Sequence, residues 1–524
     1  MADRREFIKD AGLLTAGLSL LPSLFAFGAD GTKKTFALPR STPEMQGIAS
    51  EGISKFLDAI KGSKQEFHSL MILRHGNIVA EGWWAPYSSG HKQQLYSFSK
   101  SFTGTAIGLA VREGLLTVND PIIKFFPEYV PAEISDNLAA LQVRHLLSMS
   151  VGHAKDAILI LEASAPGVPW EKTFLSLPVV NTPGSTFLYN SGASFMLSAI
   201  VKKVTGVSAH EYLTPRLYKP LNITNTTWGE NWEGINMGAS HLRMPTESLA
   251  NFGQLYLQKG VWDGKQVIAK EWVAEASSKQ ISNGHNDSSW GYGYGYQFWL
   301  NPPGGYRADG AFGQFAMILP DLDAVVIITS ESIDTKTTMQ IVWDVLLPEM
   351  KTGALPENKP AHKTLVSELK NLKYVPPQLA TSSPLSDKIE GKEFILDTNP
   401  FNAKSVAFNF AGDKCIFTLK EDGKPDIVIT NGINHWIRKD NYKPSAHSMF
   451  SLRRIDFDSI VAASATWQDD KTLLLTWRYI ETVHGDSVAF VFDDDKVTLK
   501  FLFSVNRLQG KPDDRADIMG KIIA

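Results

Sequence analysis

The stretch Leu95-Tyr96-Ser97-Phe98-Ser99-Lys100-Ser101-Phe102-Thr103-Gly104-Thr105-Ala106-Ile107-Gly108-Leu109-Ala110 reads as a turn running into a helix. Apolar residues recur in it at helical spacing: Phe102, Ala106, Leu109 and Ala110. Ser97 and Lys100 are three positions apart, so on a first helical turn they share one face. A backbone N–H at a helix start is unpaired within the helix and suits a developing oxyanion. A lysine buried one turn away can lose its proton and serve as a base, because desolvation disfavours its charged form.

Ser-x-x-Lys also occurs at Ser89/Lys92 and Ser367/Lys370. A chance match of this kind is normally an exposed helix cap followed by a solvated lysine. Ser89/Lys92 lies in a polar Ser-Ser-Gly-His-Lys turn, and Ser367/Lys370 in a charged segment flanked by prolines. Only the Ser97 match opens a long, nearly uncharged helix, the setting that buries a lysine.

The chain has 524 residues, more than one ordinary domain holds. A composition of 43% hydrophobic and 20% charged residues is that of a globular protein. The net charge of −3 implies no general surface for nucleic acid or other polyanions. A single cysteine, Cys415, rules out an intramolecular disulfide and a zinc site built on several cysteines. His68, His91, His153 and His241 lack metal-ligand spacing. Structural or surface roles are expected for them, with lining of a substrate cleft the alternative for His153 and His241. Neither a metal nor a cofactor is expected.

The N-terminus reads Arg4-Arg5-Glu6-Phe7-Ile8-Lys9 and continues into a moderately apolar run from Ala11 to Gly28. Residues 1–29 resemble a bacterial twin-arginine export signal. Gly12, Gly17, Ser19 and Pro22 weaken the alternative of a membrane anchor. A periplasmic or secreted location is therefore expected, with no membrane span in the mature chain.

Further along, residues 51–60 have the period of an amphipathic helix. Residues 68–74 and 77–83 read as a β-hairpin around His75-Gly76. Helices are expected over 143–149, 193–204, 248–259 and 342–350, and a loop over 154–180. The run 290–299 alternates aromatic residues with glycine as an edge strand does, with core packing its expected role. Residues 310–319 and 324–329 are strands joined by a Pro320-Asp321-Leu322-Asp323 turn. The order strand pair, helices, strands predicts an α+β domain over 40–352, its antiparallel sheet built from both ends and covered by helices. A proline-rich linker, 353–387, holds one helix over 362–372. Short alternating strands then predict a small, barrel-like all-β domain over 388–524, with no catalytic constellation.

Three motifs in order, Ser97-x-x-Lys100, Tyr189-Asn190-Ser191 and Ala308-Asp309-Gly310-Ala311, resemble those of the class C β-lactamase and penicillin-binding-protein-like serine hydrolases. Esterases, D-aminopeptidases and aminohexanoate-oligomer hydrolases share the pattern. Residues 143–152, 183–192 and 253–260 also look like the family. The resemblance covers roughly residues 40–350 and implies a β-lactamase/transpeptidase-like fold, a sheet with flanking helices plus an all-α part, with the site in the cleft between them.

By that resemblance, Ser97 is the acylated nucleophile, Lys100 its partner and Tyr189 the general acid/base. The backbone N–H groups of Ser97 and Ala311 form the oxyanion hole, each donor worth about 10²–10³ in rate. Ser191, Asp309 and Gly310 bind substrate. A phenol held near an ammonium is expected to release its proton more easily. Two departures stand out. Ser191 replaces the family's asparagine, and Ala308-Asp309 replaces the cation and hydroxyl that hold a substrate carboxylate. Arg307 is adjacent but points to the sheet face opposite Ala308. The resemblance implies a hydrolase of small ester or amide substrates, and the N-terminal signal adds its export. A true β-lactamase or D,D-peptidase/D-aminopeptidase is the alternative enzyme. A non-catalytic binding protein on the same fold is the alternative of another class.

Overall fold

A computed structural model describes residues 37–63, 65–284, 289–442 and 459–522. The twin-arginine-like segment lies outside them. Two strands at the start of the described chain, β1 (Glu66–Arg74) and β2 (Asn77–Trp83), form the expected hairpin. His75 and Gly76 turn it with φ of 48° and 73°. Four later strands complete the sheet: β3 (Trp299–Leu300), β4 (Tyr306–Gly310), β5 (Gln314–Leu319) and β6 (Ala324–Glu331). The order is β2-β1-β6-β5-β4-β3, antiparallel throughout, so the two ends of the domain meet at the β1–β6 pairing.

Alternation along these strands divides their side chains between two cores. Leu70, Ile72, Val326 and Ile328 face helix α1 (Ser50–Ser63) through Ile53, Phe56 and Ile60. Met71, Leu73, Val325 and Ile327 face the opposite core, which includes α2 (Ser99–Arg112), α3 (Ser191–Thr205) and α4 (Thr246–Leu257). α2 is buried at every position from Ser99 to Ala110, as a helix enclosed by others must be. Phe102 stacks on Phe252 of α4 at 4.1 Å.

Several local expectations shift. The stretch 154–180 contains two short helices, Ile158–Glu162 and Trp170–Ser176, rather than a bare loop. The run 290–299 is mostly turns, with strand only at its end, because Tyr294, Tyr296 and Phe298 are buried inward. Residues 310–319 are not one strand: a turn at 311–313 separates β4 from β5. The closing helix begins earlier, at α5 (Thr335–Ile341), and continues as a π turn, Val342–Leu346. Within the stretch expected to be a linker, α6 (Lys359–Lys370) packs against the sheet domain. Its Leu365 is buried in the α1 core, and a Cβ on Gly82 of β2 would lie 2.6 Å from Leu372.

The C-terminal part is an all-β barrel. Its strands are β7 (Glu393–Leu396), β8 (Ala403–Ala411), β9 (Lys414–Glu421), β10 (Ile427–Ile433), β11 (Ile437–Tyr442), β12 (Ser459–Asp469), β13 (Thr472–Tyr479), β14 (Gly485–Asp493), β15 (Lys496–Phe503) and β16 (Ile518–Ile522). They pair antiparallel in the order β10-β9-β8-β7-β16-β15-β14-β13-β12-β11, and a short parallel pairing of β10 with β12 closes the ring. Phe394, Phe408, Phe417, Trp467, Trp477 and Phe490 fill the interior, where Cys415 is also buried. Among the described residues no helix is long and apolar enough to cross a membrane.

Candidate active site

Ser97 is half-buried in a short 3-10 turn, Tyr96–Phe98, that runs directly into α2. Lys100, one turn later, is 2% exposed. Its Nζ donates to Ser97 Oγ at 3.0 Å, Ser191 Oγ at 3.3 Å and the Ala239 carbonyl at 3.0 Å. Burial pushes this amine down to about 7, and Asp156 only partly opposes it. At neutral pH a large share of Lys100 is therefore unprotonated.

Asn190 caps α3, its Oδ1 accepting from Ala193 N at 3.2 Å. The cap leaves Tyr189 just outside the helix and Ser191 on its first turn. The Tyr189 ring lies under Lys100, with Nζ 4.8 Å from its centroid. Trp299 stacks on the ring at 5.4 Å, and Tyr294 meets it edge-on at 6.3 Å. The aromatic run that reads as core packing thus also fixes the Tyr189 ring. Burial raises the Tyr189 phenol well above its ordinary value, although a hydrogen bond to Ser97 opposes the rise. The expected easing of proton release is reversed: desolvation dominates at Tyr189, and Lys100 does not offset it.

Two residues of this site carry no signal in the sequence. Asp156 Oδ1 accepts from the N–H groups of Ser191 at 2.8 Å and Gly192 at 3.2 Å, completing the start of α3 with a negative charge. A lone acid in an aperiodic stretch offers nothing to read. Gln297 ties the helices together: its carbonyl accepts from Ser101 at 2.7 Å and its side-chain oxygen from Ser194 at 2.6 Å.

The third motif ends β4 against the Ser97 turn. A Cβ on Gly310 would lie 2.1 Å from the Leu95 carbonyl, so only glycine allows this approach. Ala311 follows in the exposed turn. Ala308 is fully buried in the core and presents nothing to a substrate. Arg307 and Asp309 share the other strand face, as alternation requires. Asp309 Oδ2 accepts from Arg307 Nε at 2.9 Å and from Trp290 Nε1 at 2.9 Å. Burial pushes Asp309 up and Arg307 down, and their contact opposes both shifts. The Asp309 charge is thus compensated, which weakens the repulsion that the sequence alone suggests. Removing one partner of such a buried pair strands the other. Asp309→Ala is expected to lower unfolding stability by about 3–5 kcal/mol, and the Asp309→Ala/Arg307→Met double variant to recover much of it. Urea unfolding of the two variants checks this; equal losses would exclude a stranded charge.

The histidines are structural. His153 is buried against Phe174 and bonds Asn190 Nδ2 at 3.3 Å, and burial lowers it to about 4. His68 stacks on Tyr87 at 3.9 Å and is lowered to about 3, chiefly by burial. His241 bonds Ser240 Oγ at 2.6 Å, and His91 meets Arg438 of the barrel at 3.0 Å. Among the described residues no group of His, Cys, Asp and Glu is arranged to hold a metal. The other Ser-x-x-Lys matches sit elsewhere. Lys92 pairs with Glu481 at 3.5 Å, and Ser367 and Lys370 are exposed on α6.

The beta-lactamase family profile matches residues 65–343, just over half of the chain. The chain belongs to the beta-lactamase family. It is 25% identical over 290 residues to the 6-aminohexanoate-dimer hydrolase of Paenarthrobacter ureafaciens, covering 51% of this chain and 74% of that protein. The octameric penicillin-binding protein homologue from Pyrococcus abyssi aligns with 90% of this chain and 99% of its own, at 17% identity and a TM-score of 0.47. EstCE1, a hydrolase with promiscuous acyltransferase activity, aligns with 56% of this chain and 98% of its own, at 15% identity and a TM-score of 0.47. In this beta-lactamase-family chain the matched region runs from the first sheet strand through α5 and includes Ser97, Lys100, Tyr189 and the β4 motif.

Proposed function

We propose that this protein is a serine hydrolase of neutral esters or amides that works through an acyl-Ser97 intermediate. The observation that carries the reading is the buried Lys100 amine, 3.0 Å from Ser97 Oγ and lowered to about 7. Neutral Lys100 takes the Ser97 proton as Oγ attacks the substrate carbonyl. The N–H groups of Ser97 and Ala311 receive the developing oxyanion. Tyr189, which keeps its proton, donates to the leaving group. Water then cleaves the acyl-enzyme by the reverse sequence. Ser191, held by Lys100, is placed to bond the substrate carbonyl or amide. The relative named for the 6-aminohexanoate dimer supports a linear amide as one candidate substrate. The twin-arginine-like start supports export to the periplasm.

A β-lactam is the poorer candidate. Its carboxylate needs a cation at the third motif, where Ala308 faces the core and Arg307 is engaged with Asp309. Incubation with a fluorophosphonate and, separately, with a penicillin, followed by intact-mass and peptide analysis, tests the reading. Ser97 is expected to be modified by the first and not by the second. An unmodified Ser97 after the fluorophosphonate would refute the acyl-enzyme.

The Lys100 amine also sets a pH profile. Its competent form is the neutral one, so kcat/KM for a neutral ester should climb as pH rises through about 7 and level off above. Tyr189, shifted upward, stays protonated and imposes no fall near neutrality. A flat profile across that range would remove Lys100 as the base.

A further inference from the structure

A barrel side chain reaches the nucleophile turn. His484, at the head of β14, is buried. Its Nε2 shares a 2.6 Å hydrogen bond with the Tyr96 hydroxyl. Its Nδ1 donates to Glu331 Oε1 at 2.6 Å, and the same oxygen accepts from Ser504 Oγ at 2.5 Å. Glu331 ends β6 of the catalytic sheet and Ser504 follows β15 of the barrel, so the imidazole is gripped from both sides of the junction. The ring also stands edge-on to Phe312 at 4.7 Å and 88°, and Phe312 packs on Tyr96 at 5.3 Å.

Tyr96 immediately precedes Ser97, and Phe312 immediately follows Ala311. His484 therefore touches the neighbours of both residues whose N–H groups would hold the oxyanion. Both neighbours are in the left-handed region, with φ of 48° at Tyr96 and 63° at Phe312. A bulky L-residue does not rest there unaided; such strain persists where the surroundings over-determine it. Attachment of the barrel does not depend on this contact. Arg478 and Arg507 both pair with Glu66, at 2.9 and 2.7 Å, and Gln93 donates to the Ile480 carbonyl at 2.6 Å.

We infer that His484 is a positioning residue for the reaction: by clamping Tyr96 to Phe312, it holds the Ser97 and Ala311 N–H groups in register on one carbonyl oxygen. This rests on the hydrolase reading above. The barrel is then part of the catalytic apparatus and not only an appendage. A mismatch of about 1 Å at such donors can cost on the order of 10²-fold in rate.

The test uses the full-length protein and the variants His484→Ala, His484→Gln, Tyr96→Phe and Arg507→Ala. Two numbers are measured for each: the rate of Ser97 modification by a fluorophosphonate, and the affinity for phenylboronic acid, whose tetrahedral adduct places an oxygen between the two N–H groups. His484→Ala and Tyr96→Phe should each lower both numbers roughly 10- to 100-fold and in parallel, and together little further. For an ester substrate kcat should fall while KM holds. His484→Gln should recover part of the loss. Arg507→Ala, which removes an interdomain ion pair, should leave both numbers within about twofold. If wild-type Ser97 is modified and the Ala and Phe variants match it in both numbers, His484 is only interdomain packing and the hydrolase reading survives. If wild-type Ser97 is not modified, both fall together. Should His484→Ala fail to fold, Tyr96→Phe, which keeps the ring, decides by the same measurements.

Discussion

Ser97→Ala is expected to reduce turnover of a p-nitrophenyl ester on the order of 10⁴-fold or more while leaving the fold intact. The chemical loss is large because the neighbouring Ser191 Oγ, though also bonded to Lys100, cannot take over: its own backbone N–H is held by Asp156 and is not available to an oxyanion. The structural loss is small. Ser97 is half-buried, and Lys100 keeps its bonds to Ser191 and the Ala239 carbonyl when the hydroxyl goes. The change in unfolding free energy should stay below about 1 kcal/mol. Steady-state kinetics beside thermal unfolding of the same preparation measures both. An Ala variant that keeps most of its activity would place the nucleophile elsewhere.

Lys100→Met and Tyr189→Phe should each lower kcat by roughly 10²–10⁴, the range for groups that move a proton in the rate-limiting step. Methionine suits position 100 because the site is enclosed and the chain length is kept. Phenylalanine keeps the Trp299 stack and removes only the hydroxyl. In the proposed reaction the two groups form one relay across Ser97, so the double variant should lose much less than the product of the single losses. Rapid-quench measurement of acylation for the three proteins gives the coupling directly. Full additivity would mean that the lysine and the tyrosine act in separate steps.

Much of this arrangement is legible along the chain because its parts are short-range. Ser97 and Lys100 share a helical turn, and the Tyr189-Asn190-Ser191 motif sits on a capped helix start. The β1–β2 hairpin follows from His75-Gly76, and the strands at the end of the domain follow from their apolar runs. The same patterns fail where burial overrides them. The 290–299 run alternates like a strand, yet most of its rings turn inward and Trp299 comes to support Tyr189. A segment rich in proline and charge looks like a linker, yet its helix covers the α1 core.

By itself, the sequence determined the order of the three motifs and the α+β class followed by a β domain; spacing within one helical turn singled out Ser97 and Lys100, and the resemblance to the family added Tyr189. Tertiary structure alone decided the electrostatics. Burial, which depends on everything packed around a group, lowered the Lys100 amine and raised the Tyr189 phenol. It also brought Asp156 to the start of α3 and set His484 against Tyr96 across 388 positions of chain. Desolvation and long-range contact are properties of a packed volume, and no local period in a sequence encodes them.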